Sequence, residues 1–167
     1  MAISMKKVAA VIHIKLHNQR LPGKNTMLLG DKALCEYLFE TVRHIEELDE
    51  IYVFCSDERI KQYIPKEIQF LKRPEELDAD TIKSKDILKS FIETVDADIY
   101  ALMHVTQPFI TAATISMAVS KVKEEGYDSA FAARSIKEFA WYDGKPINYC
   151  LTNVVRTQEL QPVYVEG

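Results

Sequence analysis

The first apolar run of the chain reads VAAVIHI at residues 8–14. Such a continuous run is typical of a strand that is buried on both faces of a parallel sheet. The segment after it, residues 15–25, contains three cations and no acid, although the formal net charge of the chain is -4. Open α/β sheets bind phosphate groups at a basic, glycine-containing loop after the first strand. The sequence therefore predicts a phosphate-binding loop here. It contains neither the GxxxxGK[ST] pattern nor the GxGxxG pattern, so another class of phosphate site is indicated.

Length and composition narrow the classes of protein. The 167 residues predict one domain, and 47% hydrophobic with 28% charged residues argues against disorder. We expect no membrane span, because no stretch approaches the ~20 apolar residues that a spanning helix needs. The net negative charge predicts no affinity for nucleic acid. Three widely separated cysteines predict no disulfide framework or zinc site, and with no signal-like apolar segment at the N-terminus they favour a cytoplasmic protein.

Strand and helix patterns alternate along the chain. This order predicts an α/β fold with a mostly parallel sheet and helices on both faces, that is, three layers. Its polar loops should meet at the carboxyl ends of the strands. The predicted strands are at residues 8–14, 51–55, 68–71, 99–103 and 129–133, and the predicted helices are at 32–46, 57–64, 81–94 and 111–125.

The pattern changes near residue 139. An aromatic strand at 139–142, the turn sequence DGKP at 143–146 and a return strand at 147–150 predict a β-hairpin. A further strand is expected at 163–167. We interpret residues 139–163 as a hairpin extension that covers a site or packs on a partner subunit.

Five motifs in order resemble those of the CMP-acylneuraminate synthetases (acylneuraminate cytidylyltransferases), which are related to the CMP-3-deoxy-octulosonate synthetases. The motifs are RLPGKN at 20–25, CSD at 55–57, RPEEL at 73–77 with DT at 80–81, HVTQP at 104–108, and residues 141–148 followed by RTQ at 156–158. The resemblance implies a Rossmann-like nucleotide-diphospho-sugar transferase fold, a single domain over residues 1–167 and a homodimer. It also implies that the family's metal-binding acids lie beyond the end of this chain, so that the chain is expected to be truncated.

The resemblance also implies a reaction. CTP and a nonulosonic, sialic-type sugar acid give the CMP-sugar and pyrophosphate, with Mg²⁺ bridging the phosphates. Catalysis of this kind is mostly positioning and cationic stabilisation of phosphoryl oxygens. The residues that match family positions are expected to act as follows: Lys15 and Lys24 in catalysis on the phosphates; Arg20, Asn25, Arg73, Thr81 and Ser84 in nucleotide binding; and His104, Thr106, Gln107 and Arg156 in binding of the sugar acid.

Several of these positions have other interpretations. Lys15 replaces the family's arginine, which exchanges a bidentate fork for a point charge. Arg20 equally well pairs with a surface acid, Asn25 can hold the loop as a turn residue, and Ser84 has a plain helical interpretation. A helix cap explains Asp57 as well as a role in ligand binding does. His104 can be a histidine that is packed in the fold.

Two other functions stay open from the sequence. One is a non-catalytic relative that binds nucleotide or only self-associates, which the altered loop and the absent metal acids favour. The other is a nucleotidyltransferase for another sugar or with another base, and residues 73–84 would decide the base. Pyrophosphate release from CTP, and binding of CTP compared with UTP, GTP and ATP, discriminate among the three.

Overall fold

The computed structural model describes residues 6–18 and 21–166. The chain divides into two compact units, which meet in the sequence between Ala130 and Phe131. The prediction that residues 1–167 are one domain stays a prediction. Within the described residues no helix is long and apolar enough to cross a bilayer.

The first unit is built on a parallel sheet with its connecting helices. Its elements in chain order are strands β1 (Val8–Ile14), β2 (Leu28–Leu29) and β3 (Lys32–Ala33), helix α1 (Leu34–Val42), strands β4 (Glu50–Cys55) and β5 (Gln69–Lys72), helix α2 (Ser84–Ile92), strand β6 (Ile99–Met103) and helix α3 (Ala112–Lys123). The predicted strands at 8–14, 51–55, 68–71 and 99–103 are confirmed, with ends that differ by at most one residue.

The order of strands in the main sheet is β5-β4-β1-β6, and all three pairings are parallel. The chain therefore starts in the middle of the sheet, moves outward through β4 to β5, and then crosses to the other side of β1. In open α/β sheets the ligand crevice lies at the carboxyl ends of the strands where this direction reverses. The carboxyl ends of β1 and β6 flank that point here.

Side chains of β1 are buried on both faces of the sheet. Ala10, Ile12 and Ile14 belong to one apolar cluster, whereas Ala9 and Val11 belong to a second one. The first cluster also contains residues of α1 and α3, and the second contains Phe91 of α2 with Phe54 of β4. Because helices cover both faces, the predicted α/β/α layering is confirmed.

The first predicted helix begins two residues too early. Residues 32–33 do not join a helix but form β3, which pairs antiparallel with β2. The left-handed backbone of Gly30, with a φ of +70°, makes the turn between these two short strands. α1 then starts with a carboxylate cap, because Glu36 Oε2 accepts the backbone N–H of Ala33 at 2.7 Å.

The segment after β4 is a 3₁₀ helix rather than an α-helix. It spans Glu58–Tyr63, and Asp57 caps it by accepting the Arg59 N–H at 2.9 Å. The cap interpretation of Asp57 is therefore confirmed. The helices predicted at 81–94 and 111–125 are present but shorter, at Ser84–Ile92 and Ala112–Lys123.

The second unit contains short strands and, among its described residues, a 3₁₀ helix over Thr157–Glu159. β7 (Ala133–Ile136) pairs antiparallel with β10 (Val163–Glu166), and β8 (Trp141–Tyr142) pairs with β9 (Lys145–Pro146). The strand predicted at 129–133 is wrong, because β7 starts only at Ala133, the residue that pairs with Glu166 at the end of β10. The predicted return strand at 147–150 is also misplaced. Asp143 and Gly144 both have positive φ, which makes a two-residue turn, so the return starts at Lys145.

Candidate nucleotide-binding site

The loop after β1 is held closed at its base. The Gly23 N–H donates to the Leu16 carbonyl at 3.2 Å, and Asn25 Nδ2 donates to the Lys15 carbonyl at 2.9 Å. Asn25 is 6% exposed. Gly23 has a φ of 69°, a conformation that glycine adopts without strain, and it precedes a 3₁₀ helix over Lys24–Thr26. The structure therefore places Asn25 as a brace of the loop, and its predicted contact with nucleotide stays a prediction.

Lys15 links the first loop to the segment after β5. Its Nζ donates to the Asp78 carbonyl and to Asp80 Oδ1, the latter at 2.9 Å. An ammonium group has three N–H donors, so these two contacts occupy two of them. Lys15 is therefore anchored close to the carboxyl end of β1, where an anion can use its remaining donor.

Arg73 is the largest fully buried side chain of the described residues, at 1% exposure. Its backbone N–H donates to the Cys55 carbonyl at 3.0 Å, which places it at the carboxyl ends of β4 and β5. Its Nη2 donates to Asp78 Oδ1, while its Nε and Nη1 are buried without a partner. The guanidinium carbon lies 6.0 Å from the centre of the Phe54 ring.

A cleft of about 550 Å³ lies at the carboxyl ends of β4 and β5, and Asp78, the partner of Arg73, is one of its lining residues. Four carboxylates, one lysine, one histidine and one serine line it: Asp57, Glu58, Glu75, Asp78, Lys72, His17 and Ser56. Hydrogen bonds from the side chain and the backbone N–H of Arg59 lower the pKa of Asp57 to about 2. Asp57 is therefore a carboxylate at neutral pH, which suits it to accept hydrogen bonds.

Two histidines meet at the point where the strand order reverses. His13 and His104 lie edge to face, with ring centres 5.1 Å apart. Burial, followed by the nearby His104 and Arg73, lowers the pKa of His13 to about 4, and its Nε2 is buried without a partner. His13 is therefore neutral at pH 7. The predicted role of His104 in sugar binding stays a prediction.

His13 should make the fold sensitive to acid. The ordinary pKa of histidine is 6.5, so above that pH neither the folded nor the unfolded chain is protonated at this site. Between pH 6.5 and about 4 only the unfolded chain binds the proton, so the free energy of unfolding falls by about 2–3 kcal/mol. Urea unfolding at pH 7.5 and 4.5 checks this. Over that range the free energy of unfolding of His13→Leu should fall by about 2 kcal/mol less than that of the unaltered protein. The exposed control His44→Gln should lose as much as the unaltered protein, and an equal loss in both variants would contradict the prediction.

The other predicted site residues are spread more widely. Thr81 and Ser84 are exposed, and Ser84 opens α2 rather than lying in its middle. Thr106 and Gln107 lie in the turn after β6, where the Gln107 N–H donates to the His104 carbonyl at 3.1 Å. Arg156 belongs to the second unit and is exposed. Arg20 lies outside the described residues.

The described residues do not fit a metal ion by themselves. No group of three or more histidines, cysteines or acids is arranged among them to hold one. Two acids near the first loop bind cationic side chains instead, Asp78 with Arg73 and Asp80 with Lys15. The expected Mg²⁺ stays a prediction.

Sequence reasoning missed Asp78. The structure brings this residue to both Arg73 and Lys15, although it lies five and 63 residues from them in the chain. The available signal was Pro74, since a proline shortly after a strand indicates a turn that folds the following residues back.

Comparison with known proteins gives a family and a fold. A family model described as cytidylyltransferase matches residues 9–165. The 3-deoxy-manno-octulosonate cytidylyltransferase 2 of Hydrogenovibrio crunogenus is 23% identical over 126 residues, which are 75% of this chain and 50% of that protein. The N-acylneuraminate cytidylyltransferase of Escherichia coli is 30% identical over 115 residues, which are 68% of this chain and 27% of that protein. The chain thus spans half or less of the length of these relatives.

Solved structures share the fold at low sequence identity. A CMP:2-keto-3-deoxy-manno-octonic acid synthetase solved with CTP has a TM-score of 0.59 at 20% identity. The match covers 72% of this chain and 49% of the synthetase chain. The 4-diphosphocytidyl-2C-methyl-D-erythritol synthase of Anaerococcus prevotii has a TM-score of 0.59 at 13% identity. That match covers 96% of this chain and 70% of the synthase chain. Both are nucleotidyltransferase neighbours with the same mixed α/β architecture.

Proposed function

Because this chain belongs to the cytidylyltransferase family, we propose that it transfers CMP from CTP to the anomeric hydroxyl of a 3-deoxy-2-keto sugar acid and releases pyrophosphate. The observation that carries the proposal is the braced basic loop at the carboxyl end of β1. It holds Lys15 and Lys24 at the place where α/β sheets bind phosphates.

In this reaction the sugar hydroxyl attacks the α-phosphorus of CTP as the bond to the β-phosphate oxygen breaks. Negative charge grows on the phosphoryl oxygens and on the leaving pyrophosphate. Fixed cations stabilise that charge without reorganising during the step. Lys15 and Lys24 supply two cations at this loop, and the contact with Asp80 holds Lys15 in place.

The cytosine of CTP and the sugar acid bind at different strand ends of the main sheet in this proposal. Arg73 has two buried donors without a partner, which suit the carbonyl and hydroxyl oxygens of cytosine and ribose. The sugar acid lies towards His104, Thr106 and Gln107 after β6. Mg²⁺ and a homodimer remain part of the proposal on the strength of the resemblance alone.

Two acceptors are candidates. A nonulosonic, sialic-type acid is the acceptor that the sequence motifs favour, and the matched E. coli protein is named for N-acylneuraminate. The match to the Hydrogenovibrio protein, which is named for 3-deoxy-manno-octulosonate, favours an eight-carbon acid instead. Both acids carry a carboxylate beside the anomeric carbon, so the same anion-binding groups serve either.

The test is release of pyrophosphate from CTP by this protein, with Mg²⁺ and each acid in turn. We expect release only when a 3-deoxy-2-keto acid is present, and more slowly with UTP, GTP or ATP. CTP binding by calorimetry without any release would support the non-catalytic alternative. Release as fast with UTP, GTP or ATP as with CTP, or release with an uncharged sugar, would contradict the proposal.

A further inference from the structure

Asp78 ends a short helix that folds back over the sheet edge. The 3₁₀ helix Glu75–Asp78 starts after Pro74, and the Leu77 N–H donates to the Pro74 carbonyl at 3.2 Å. Proline presets the backbone for such a turn. The fold-back returns Asp78 to the carboxyl ends of β4 and β5, from which the chain has just emerged.

The side chain of Asp78 binds two groups from different strands. One carboxylate oxygen accepts from Nη2 of Arg73, and the other accepts from the Ser56 hydroxyl at the end of β4. The Arg73 side chain is 1% exposed and that of Asp78 is 26% exposed. Hydrogen bonds between ionised groups are short and strong, so the pair fixes the guanidinium and Ser56 fixes the carboxylate.

The main chain of Asp78 binds a third group. Its carbonyl accepts from Nζ of Lys15, which belongs to the loop after β1. Carbonyls at the end of a helix have no partner within the helix, so this one is available to a lysine. A single residue therefore joins the first loop, the end of β4 and the end of β5.

The contact with Asp78 uses Nη2 of Arg73 and leaves its other donor nitrogens for a ligand. Nε and Nη1 of Arg73 have no partner and are buried. An unpaired buried donor is costly, so such a group in a native fold calls for a ligand or a comparable explanation. With Nη2 held by Asp78 and the guanidinium near the Phe54 ring, these two donors have a fixed orientation.

We propose that Asp78 is a positioning residue for CTP. This proposal rests on the proposed function. Asp78 orients Arg73 towards the cytosine and ribose, and through its carbonyl it holds Lys15 for the phosphates. Loss of the carboxylate frees the guanidinium of Arg73, so the protein binds CTP less tightly. The sugar acid makes no contact that depends on Asp78, so its KM is unaffected.

Asp78→Asn tests this, because asparagine keeps the shape and an acceptor oxygen but removes the charge. Glu76→Gln is the matched control, since Glu76 is an exposed acid in the same 3₁₀ helix. We expect Asp78→Asn to raise the CTP dissociation constant, measured by calorimetry, and the KM for CTP by about tenfold or more. The KM for the sugar acid should stay within about twofold, and Glu76→Gln should match the unaltered protein. Ser56→Ala, which removes one support of the carboxylate without changing charge, should give a smaller rise for CTP alone.

The outcomes separate this proposal from the proposed function. If the unaltered protein binds CTP but releases no pyrophosphate, and Asp78→Asn still weakens binding, the catalytic proposal fails and Asp78 keeps its role. If pyrophosphate is released and Asp78→Asn equals Glu76→Gln in CTP affinity, the inference about Asp78 is overturned. A parallel rise in both KM values with a lowered melting temperature would also overturn it, because that pattern indicates a structural role only.

Discussion

Replacement of Lys24 by alanine is expected to lower kcat for pyrophosphate release by about 10²–10³-fold. Lys24 begins the 3₁₀ helix that closes the β1 loop, directly after the left-handed Gly23. A cation there stabilises charge that develops on phosphoryl oxygens only in the transition state. Removal of this cation should therefore lower kcat more than it changes KM. Initial rates at saturating CTP and sugar acid measure the effect.

Lys66→Ala is the control for Lys24→Ala. Lys66 is an exposed lysine in the turn before β5, so its removal changes the net charge equally but should leave kcat within about twofold. The melting temperature of Lys24→Ala should stay near that of the unaltered protein, since Lys24 is only half-buried. Equal rates for the two variants would show that the β1 loop does not hold the phosphates.

Replacement of Arg73 by alanine is expected to cost about 3–5 kcal/mol of unfolding free energy. The change removes the largest fully buried side chain of the described residues and leaves the Asp78 carboxylate without its cationic partner. Lost packing and an unpaired carboxylate act in the same direction. Urea unfolding at pH 7.5 gives the value.

Arg59→Ala provides the comparison for Arg73→Ala. Arg59 also binds an aspartate, Asp57, but its side chain is 67% exposed. An exposed ion pair adds little to stability, so this variant should unfold at nearly the same urea concentration as the unaltered protein. Similar losses in the two variants would contradict the assignment of Arg73 to the buried support of the site.

The sheet could be predicted because its signal is local. The run at 8–14 is apolar without alternation, and it forms β1 with both faces buried, as two-sided burial requires. The alternation of strand and helix patterns likewise predicted parallel pairing and helices on both faces. The same reasoning failed at 32–33 and 129–133, where pairing with a partner strand, not local propensity, decides which residues are extended.

The site was only partly predictable, because its contacts join distant segments. The basic character of the loop after β1 is visible in the sequence, and Lys15 indeed lies at the carboxyl end of that strand. The brace from Asn25 to the Lys15 carbonyl, the meeting of His13 with His104, and the contacts of Asp78 depend on strand order. Strand order is a tertiary property, and no spacing of residues in the sequence encodes it directly.

The most direct test of the central claim is a crystal structure of the protein with CTP bound. We expect the triphosphate at the carboxyl end of β1, with phosphate oxygens within hydrogen-bond distance of the Nζ atoms of Lys15 and Lys24, and the cytosine or ribose against Nε and Nη1 of Arg73. A nucleotide bound away from the β1 loop, with Lys24 and Arg73 not in contact with it, would contradict the claim.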